Sequence, residues 1–554
     1  MKNTIIYLLL LLPASFLFTS CSDWLEEEHQ TKVSTEFLYS NPEALERAVV
    51  ALYYVDRSYF KKDDQVSSYA YVLDIGTDID WFRAGGGSTF ANYDNLNSRN
   101  SNVSQFWTQQ YQIIGKANEI LAAAQTMEQD SLVRQLTGEA SLFRAHAYYW
   151  LMIRFGKIYL TTEPTTYENI DNNTYSPARE EDVWKLINDD LDVAIANLSW
   201  DTPIVNQAPA HGRFNKAVAK HIKAKVAMWN NNWDEAIKQT EDIFATGRYQ
   251  LLAQPKDVFE GANLNHSETI YAYQFKAGIG GGGAMDGVIL RGHRLGIITV
   301  AQYRLIMGYC DYELGCYGWG RLMPNNYLFS LYTDKVKDKR YQQFFRHYFT
   351  YNLADKVPAG KSLGDTIFPT NATQYWENFH PQIKKFEDKW TAETPESTSS
   401  FKDVILYRLA ETYLLAAEAY LNKGNQGKAR EYYNKTWMRA GNEPENGSIT
   451  LQMIMDEHAR ELCMEGHRFT FLKRLGKLAD QVRNYGGEFT NNPAAAGRNL
   501  GVNVPTSYRT NYVAPAAAAN RRYYFKDGYE HWPIPQSEID QMGADNFPQW
   551  DAYK

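Results

Sequence analysis

Residues 215–237 read NKAVAKHIKAKVAMWNNNWDEAI. Val218, Ile222, Val226 and Trp229 recur every three or four positions, which gathers them on one side of a helix. Asn230, Asn231 and Asn232 interrupt the pattern, and Trp233-Asp234-Glu235-Ala236-Ile237 starts another. A helix, a short polar turn and a Trp-led helix form a hairpin that cannot bury its apolar side alone and must stack on neighbours, as in tetratricopeptide arrays. The same plan returns from Glu411 to Met438, with a turn at Lys423-Gly424-Asn425 and a second helix around Ala429 to Tyr433. Further helical periods run from Glu139 to Phe155, ended by Gly156, from Val183 to Leu198, and from Asp403 to Leu421. The fold read from this is mainly α: a tetratricopeptide-like stack of helical hairpins with long irregular loop insertions.

The insertions occupy Gln65 to Asn102, Gln274 to Asn326 and Tyr485 to Asn520. Long irregular stretches on a helical scaffold are binding loops or disordered segments, and the rings in the first two argue against plain disorder. Aromatics make up 14% of the 554 residues, with 39 Tyr, 26 Phe and 14 Trp. Many must fill the core; the surplus of Tyr suits surfaces that contact sugars or peptides. The net charge is −8 and no basic stripe is present, so nucleic acid is excluded as an expected partner.

The start of the chain is a targeting signal. Lys2 precedes an apolar run from Ile5 to Phe18 that Pro13 interrupts. It is shorter than the roughly 20 residues a membrane span takes, so it reads as a secretory signal. Thr19 and Ser20 are slim, and Cys21 follows at once, as in a bacterial lipobox with Phe18 where Leu is more usual. The expected layout is a lipoprotein signal peptide over 1–20, a lipidated acidic tether over 21–30 beginning at Cys21, and one domain over 31–554. Buried acyl chains contribute about 0.8 kcal/mol per methylene, so two or three hold a protein on a membrane. The acidic run Asp23 to Glu28 resembles the surface-export signal of Bacteroidetes lipoproteins. Of the other cysteines, Cys310 and Cys316 lie close enough for a loop disulfide in an oxidising compartment, and Cys463 reads as a buried thiol.

Five segments in order resemble the SusD/RagB family of outer-membrane nutrient-binding lipoproteins. They are Gly138-Glu139-Ala140 through Arg144-Ala145 and Tyr148-Tyr149-Trp150 to Arg154-Phe155-Gly156; Gly212-Arg213 through Lys216-Ala217; Leu406-Tyr407-Arg408-Leu409-Ala410-Glu411 through Ala417-Glu418-Ala419; Glu457-His458-Ala459-Arg460-Glu461-Leu462 with Glu465-Gly466-His467-Arg468; and Trp532-Pro533-Ile534-Pro535. His458 stands where the family usually has Arg. The spacing allows Arg408 to pair with Glu411 on one helix, Glu461, Glu465 and Arg468 to form a ladder, and Glu411 and Glu418 to share a face. The prolines extend Trp532 to Pro535, laying Trp532 and Ile534 against the core.

The resemblance implies a non-catalytic protein that caps a SusC-like TonB-dependent outer-membrane barrel. It would be held at the outer membrane by its lipid, face the cell exterior, and pass inward an oligosaccharide or polysaccharide. Peptide capture by the same architecture is the alternative, and a surface hydrolase a further one. Sugar recognition needs flat rings and polar side chains. The first candidate cluster is Asp78, Asp80, Trp81, Arg83 and Asn92, with Trp81 near glycines 85–87. The second is Arg291, Tyr309, Tyr317 and Trp319, with Tyr312 alongside and Gly315, Gly318 and Gly320 expected to leave the rings exposed. Asp74, Asp78 and Asp80 do not fit the spacing of a twelve-residue calcium loop, no ligand-spaced histidines or nucleophile elbow occur, and neither metal nor cofactor is expected.

Overall fold

The computed structural model describes residues 41–58, 75–82, 88–93, 96–165, 176–201, 204–205, 208–262, 264–278, 284–286, 289–368, 370, 374–487 and 524–554. The signal peptide, Cys21 and the tether lie outside them.

The long helices follow one another as α1 (Pro42–Arg57), α2 (Ser101–Gln125), α3 (Ser131–Phe155), α4 (Glu180–Asn197), α5 (Lys216–Trp229), α6 (Trp233–Ala245), α7 (Leu409–Asn422), α8 (Gln426–Arg439) and α9 (Leu451–Leu462), then the shorter α10 (Arg468–Arg474), α11 (Leu478–Tyr485) and α12 (Gln536–Met542). From α2 to α9 each packs on its chain neighbour, and α6 packs on α7 across the long insertion between them. This is the hairpin stack expected from the 215–237 pattern.

Two turns show the repeat in atomic detail. In the α5–α6 turn, Asn231 takes φ +53°, Asn232 N–H bonds Ala227 O, and the Asn232 side chain accepts from Glu235 N–H at 3.2 Å. In the α7–α8 turn, Gly424 takes φ +73°, Asn425 N–H bonds Tyr420 O, and the Asn425 side chain accepts from Lys428 N–H at 3.1 Å. A left-handed residue ends one helix and an asparagine caps the next. Between the hairpins, Phe244, Tyr413 and Tyr432 stack, and Glu241 accepts from the hydroxyls of Tyr420 and Tyr432.

Short strands join the stack to the irregular half: β1 (Asp80–Phe82), β2 (Thr269–Tyr273), β3 (Leu322–Pro324) and β4 (Val404–Arg408). β1 pairs antiparallel with β3, and β2 with β4. The helix expected from Asp403 therefore starts only at Leu409. Residues 404–408 are Val-Ile-Leu-Tyr-Arg, branched and aromatic side chains that favour a pleated surface, and β2 supplies the partner edge.

That change of structure moves Arg408. It does not pair with Glu411; it lies buried and donates to Glu268 (2.8 Å), Glu461 (2.6 Å) and Glu465 (2.6 Å). Arg340 binds Asp338, Glu457 and Glu461, Arg439 binds Glu268 and Glu461, Arg460 binds Glu457, and Lys385 binds Glu465. Five cations thus meet five carboxylates in the interior. Glu411 instead receives Lys225 and His221 from α5, and Glu418 receives Arg474 from α10 at 2.6 Å, so the expected shared face does take donors from neighbouring helices. The Glu461–Glu465–Arg468 ladder does not form, because Arg468 turns to Asp78. Trp532 and Ile534 pack as expected: Trp532 lies against Phe90, Phe106 and Phe155, and its N–H bonds Arg154 O.

Burial pushes the Glu461 carboxyl up, but Arg439, Arg408 and Arg340 hold it well below the usual value of 4.5. Its ion pairs therefore stabilise the fold fully above pH 4.5 and are lost as pH falls through the depressed folded value. Glu461→Gln should cost about 3–5 kcal/mol at pH 7. In chemical denaturation the gap from wild type should close below pH 4.5; a gap independent of pH would show that the charge is not what matters.

Candidate functional site

Pairing of β1 with β3 brings the first two irregular regions into contact. The third joins them at one side chain. The Asn325 amide donates to Asp78 O (2.8 Å) and Tyr485 O (2.9 Å), with Asp80 O and Gly487 O at 3.4 and 3.3 Å, and Gly487 N–H bonds Asp80 O. The Asn325 side-chain oxygen meanwhile accepts from Leu328 N–H and starts a short helix, Asn326–Ser330. Nothing in the sequence singled out Asn325; its only local signal is a capping residue directly after a short strand.

This convergence encloses the first candidate cluster. Asp78 is fully buried and forms a two-pronged pair with Arg468 at 2.9 and 2.6 Å. Asp80 accepts from Gly76 N–H, Thr77 N–H and the Thr77 hydroxyl, tying the turn before β1. Trp81 is 4% exposed, in the main core. These three were read as ligand-facing; they face inward and hold the loops together. Arg83 and Asp74 lie outside the described residues. Asn92 ends the short helix Ser88–Asn92 and Arg291 ends the strand Ile289–Arg291, but their side chains are likewise outside what is described.

In the second cluster, Tyr309, Tyr317 and Trp319 each lie beside a different polar or charged side chain. The short helix Arg304–Met307 ends at Gly308, at φ +81°, and exposes Leu305 (56%) and Ile306 (42%). The Arg304 guanidinium lies 3.9 Å from the centre of the Tyr317 ring and donates to its hydroxyl at 2.7 Å. Arg294 covers Trp319 at 5.5 Å. The Tyr309 hydroxyl donates to Asn352 at 2.9 Å. All three rings are half-buried. Gly318 serves a different end from the one expected: a Cβ there would come within 2.3 Å of Val300 O, so the glycine lets the loop press on the backbone of 300–301.

The loop has no disulfide. Cys310 and Cys316 are free buried thiols, and the Cys316 thiol donates to Asp388 O at 3.2 Å. What ties the loop is Tyr303: its hydroxyl donates to Cys316 O (2.6 Å) and accepts from Asp311 N–H (2.9 Å). Burial, with Asp388 nearby, pushes the Cys316 thiol up to about 12, so it is a poor nucleophile for oxidation. Cys463 is buried, as expected.

A cleft of about 370 Å³ is lined by Tyr312, Asn352 and Trp390 together with Phe259 and Phe344. That lies within the roughly 300–1,000 Å³ usual for small-ligand sites. Trp390 is 37% exposed and rests flat on Gly261, where a Cβ would come within 2.8 Å of the ring. Each carboxylate lining the cleft holds a cation: Glu313 with Lys389 (2.9 Å), Glu387 with Arg346 (3.1 Å) and Glu260 with Lys256 (2.8 Å). The sequence signal missed was Lys384-Lys385-Phe386-Glu387-Asp388-Lys389-Trp390, a dense run of charge and rings between helices.

Residues 301–550 match a family model described as "SusD family", and residues 23–228 one described as "Starch-binding associating with outer membrane". The chain belongs to the SusD family. A SusD-like protein of Bacteroides ovatus is 28% identical over 503 residues, covering 86% of this chain and 84% of that one. Among solved structures, a SusD superfamily protein from Parabacteroides distasonis superimposes with a TM-score of 0.70 at 18% identity, covering 94% of this chain and all of that one. A "laminarin binding SusD-like protein" gives 0.67 at 22% identity, covering 92% and 99%. At these identities the superpositions establish the SusD fold.

Asn325→Ala strands two well-placed carbonyls and should cost about 1–3 kcal/mol. Hydrogen exchange should quicken together in 76–82 and 485–487; an effect confined to 322–328 would refute the three-way tie. Unfolding in an alkylating reagent without reductant should label Cys310, Cys316 and Cys463 alike, whereas a disulfide would shield the first two.

Proposed function

We propose that the protein is a cell-surface lipoprotein, anchored through Cys21 to the outer membrane and facing outward. It binds oligosaccharide or polysaccharide without cleaving it and passes it to a TonB-dependent barrel. The observation that carries the sugar reading is two separately clamped rings of the 304–317 loop. Tyr317 is held by Arg304, and Tyr309 by Asn352, so two rings with adjacent polar groups are fixed before any ligand arrives. Flat rings with polar neighbours are what pyranose faces and hydroxyls require. The laminarin-binding relative by fold and the starch-binding description of the amino-terminal family model support the same ligand class.

The non-catalytic reading draws on the cleft. Glycoside hydrolysis needs a carboxyl kept protonated as general acid. The three carboxylates there are each engaged by a neighbouring cation, and none stands free to act as that acid. The membrane anchor and the barrel partner rest on the lipobox and on SusD family membership.

Tyr317→Ala and Tyr309→Ala should each weaken binding of a polysaccharide about three- to tenfold in isothermal titration. Product analysis should find the sugar chain uncut. Unchanged affinity in both variants would remove these rings from consideration, and turnover would defeat the binding-only reading.

A further inference from the structure

The charged side chains lining the cleft do not all pair off. Glu260, Glu313 and Glu387 are matched by Lys256, Lys389 and Arg346, and Lys256 also reaches Asp257 at 3.3 Å. Lys385 lines the cleft with its stem only; its ammonium turns inward to Glu465 and to the carbonyls of Glu461 and Cys463. That leaves Lys384. Among the described residues its ammonium has no carboxylate within 4.0 Å and no hydrogen-bond acceptor, though the residue is half-buried and lines the cleft. A lysine in open water needs no counter-charge. This one has given up part of its hydration, and burial lowers its pKa, with Glu387 opposing the shift and Arg346 and Lys256 adding to it.

Its position is fixed. The strand Gln382–Ile383 pairs with Phe345–Arg346, setting Gln382 opposite Arg346, and Lys384 N–H bonds Phe344 O. The next side chain, Lys385, is anchored in the interior, so the backbone that carries Lys384 cannot drift. Lys384 is thus a cation with no carboxylate of its own, in a chain whose net charge is −8.

We infer that this cleft receives a negatively charged substituent of the bound saccharide, a carboxylate or a sulfate ester, on Lys384 with Arg346 and Lys256 beside it and Trp390 and Tyr312 flanking the sugar ring. This rests on the glycan reading above and narrows it to anionic glycans. A guanidinium beside an ammonium binds either oxyanion through charge-assisted hydrogen bonds.

The test uses the full chain in detergent and three saccharides of equal length: a neutral β-glucan, an oligouronate and a sulfated galactan. At low salt, at least one anionic saccharide should bind about tenfold more tightly than the neutral one, and which one does identifies the oxyanion. Lys384→Met, which keeps the stem, should erase that preference and leave neutral binding unchanged, while Lys384→Arg should retain it. Equal binding of neutral and anionic saccharides, or a preference that survives Lys384→Met, overturns the anionic cleft and leaves the glycan reading standing. Binding of no saccharide at all sinks both.

Discussion

Five buried cations and five buried carboxylates hold the helical stack and the irregular half as one body. Arg408 leaves the end of β4, Arg439 the end of α8, and Glu457 and Glu461 the last two turns of α9, while Glu268, Asp338, Arg340 and Lys385 come from the long segment between α6 and α7. Bringing such charges out of water costs several kcal/mol per ion, and mutual attraction offsets this only when nearly every oxygen and N–H is met. Arg408 meets that condition with its Nε and both terminal nitrogens engaged. The cluster is thus poor glue but a strict gauge of position. A helix or loop displaced by one residue would leave a bare charge inside the protein, so the assembly has one register.

The hairpin stack was legible because its information is local. A turn asparagine, a left-handed position and an apolar stripe all lie within a dozen residues, and Asn230–Asn232 and Lys423–Asn425 repeat them. The Trp532–Pro535 passage was legible for the same reason, since proline dictates extension without help from the rest of the chain. The ion pairs were not. Helical spacing offers Glu411 to Arg408 and Arg468 to Glu465, yet each arginine is claimed by a residue far away in sequence. The strand at Val404–Arg408 made the difference: five residues read as helix became β4 because β2, more than 130 positions earlier, supplied an edge.

The candidate site divides along the same line. Sequence pointed to the loop through its rings; in the structure Tyr309 meets Asn352, Tyr317 meets Arg304 and Trp319 meets Arg294. It also placed Asp78, Asp80 and Trp81 in a ligand site, where an aspartate near glycines has the same composition as an aspartate that braces a buried turn. Only the partner, Arg468, separates the two cases. The Tyr312–Trp390 cleft was missed for a further reason. Its walls are strands of two residues and single 3₁₀ turns, such as Phe345–Arg346, Gln382–Ile383 and Lys384–Phe386, too short for any period to register.

A region with so little regular structure can still be rigid if side chains take over the work of backbone ladders. Here they do. The buried Lys402 ammonium collects three carbonyls, Phe259 O (3.1 Å), Lys385 O (3.0 Å) and Glu387 O (2.7 Å), all from segments that line the cleft. The Gln382 amide donates to Leu314 O and its oxygen accepts from Ala301 N–H, joining the cleft to the 304–317 loop. Asp388 gathers Ser400, Thr391 and the N–H of Trp390, so the ring at the cleft mouth is held from beneath. Carbonyls that would otherwise be buried and unmet become the anchoring points. A surface organised in this way orders few of its own groups when a ligand arrives, so more of each contact remains as affinity. Lys402, Gln382 and Asp388 thus do for this loop-built surface what backbone ladders do for a sheet.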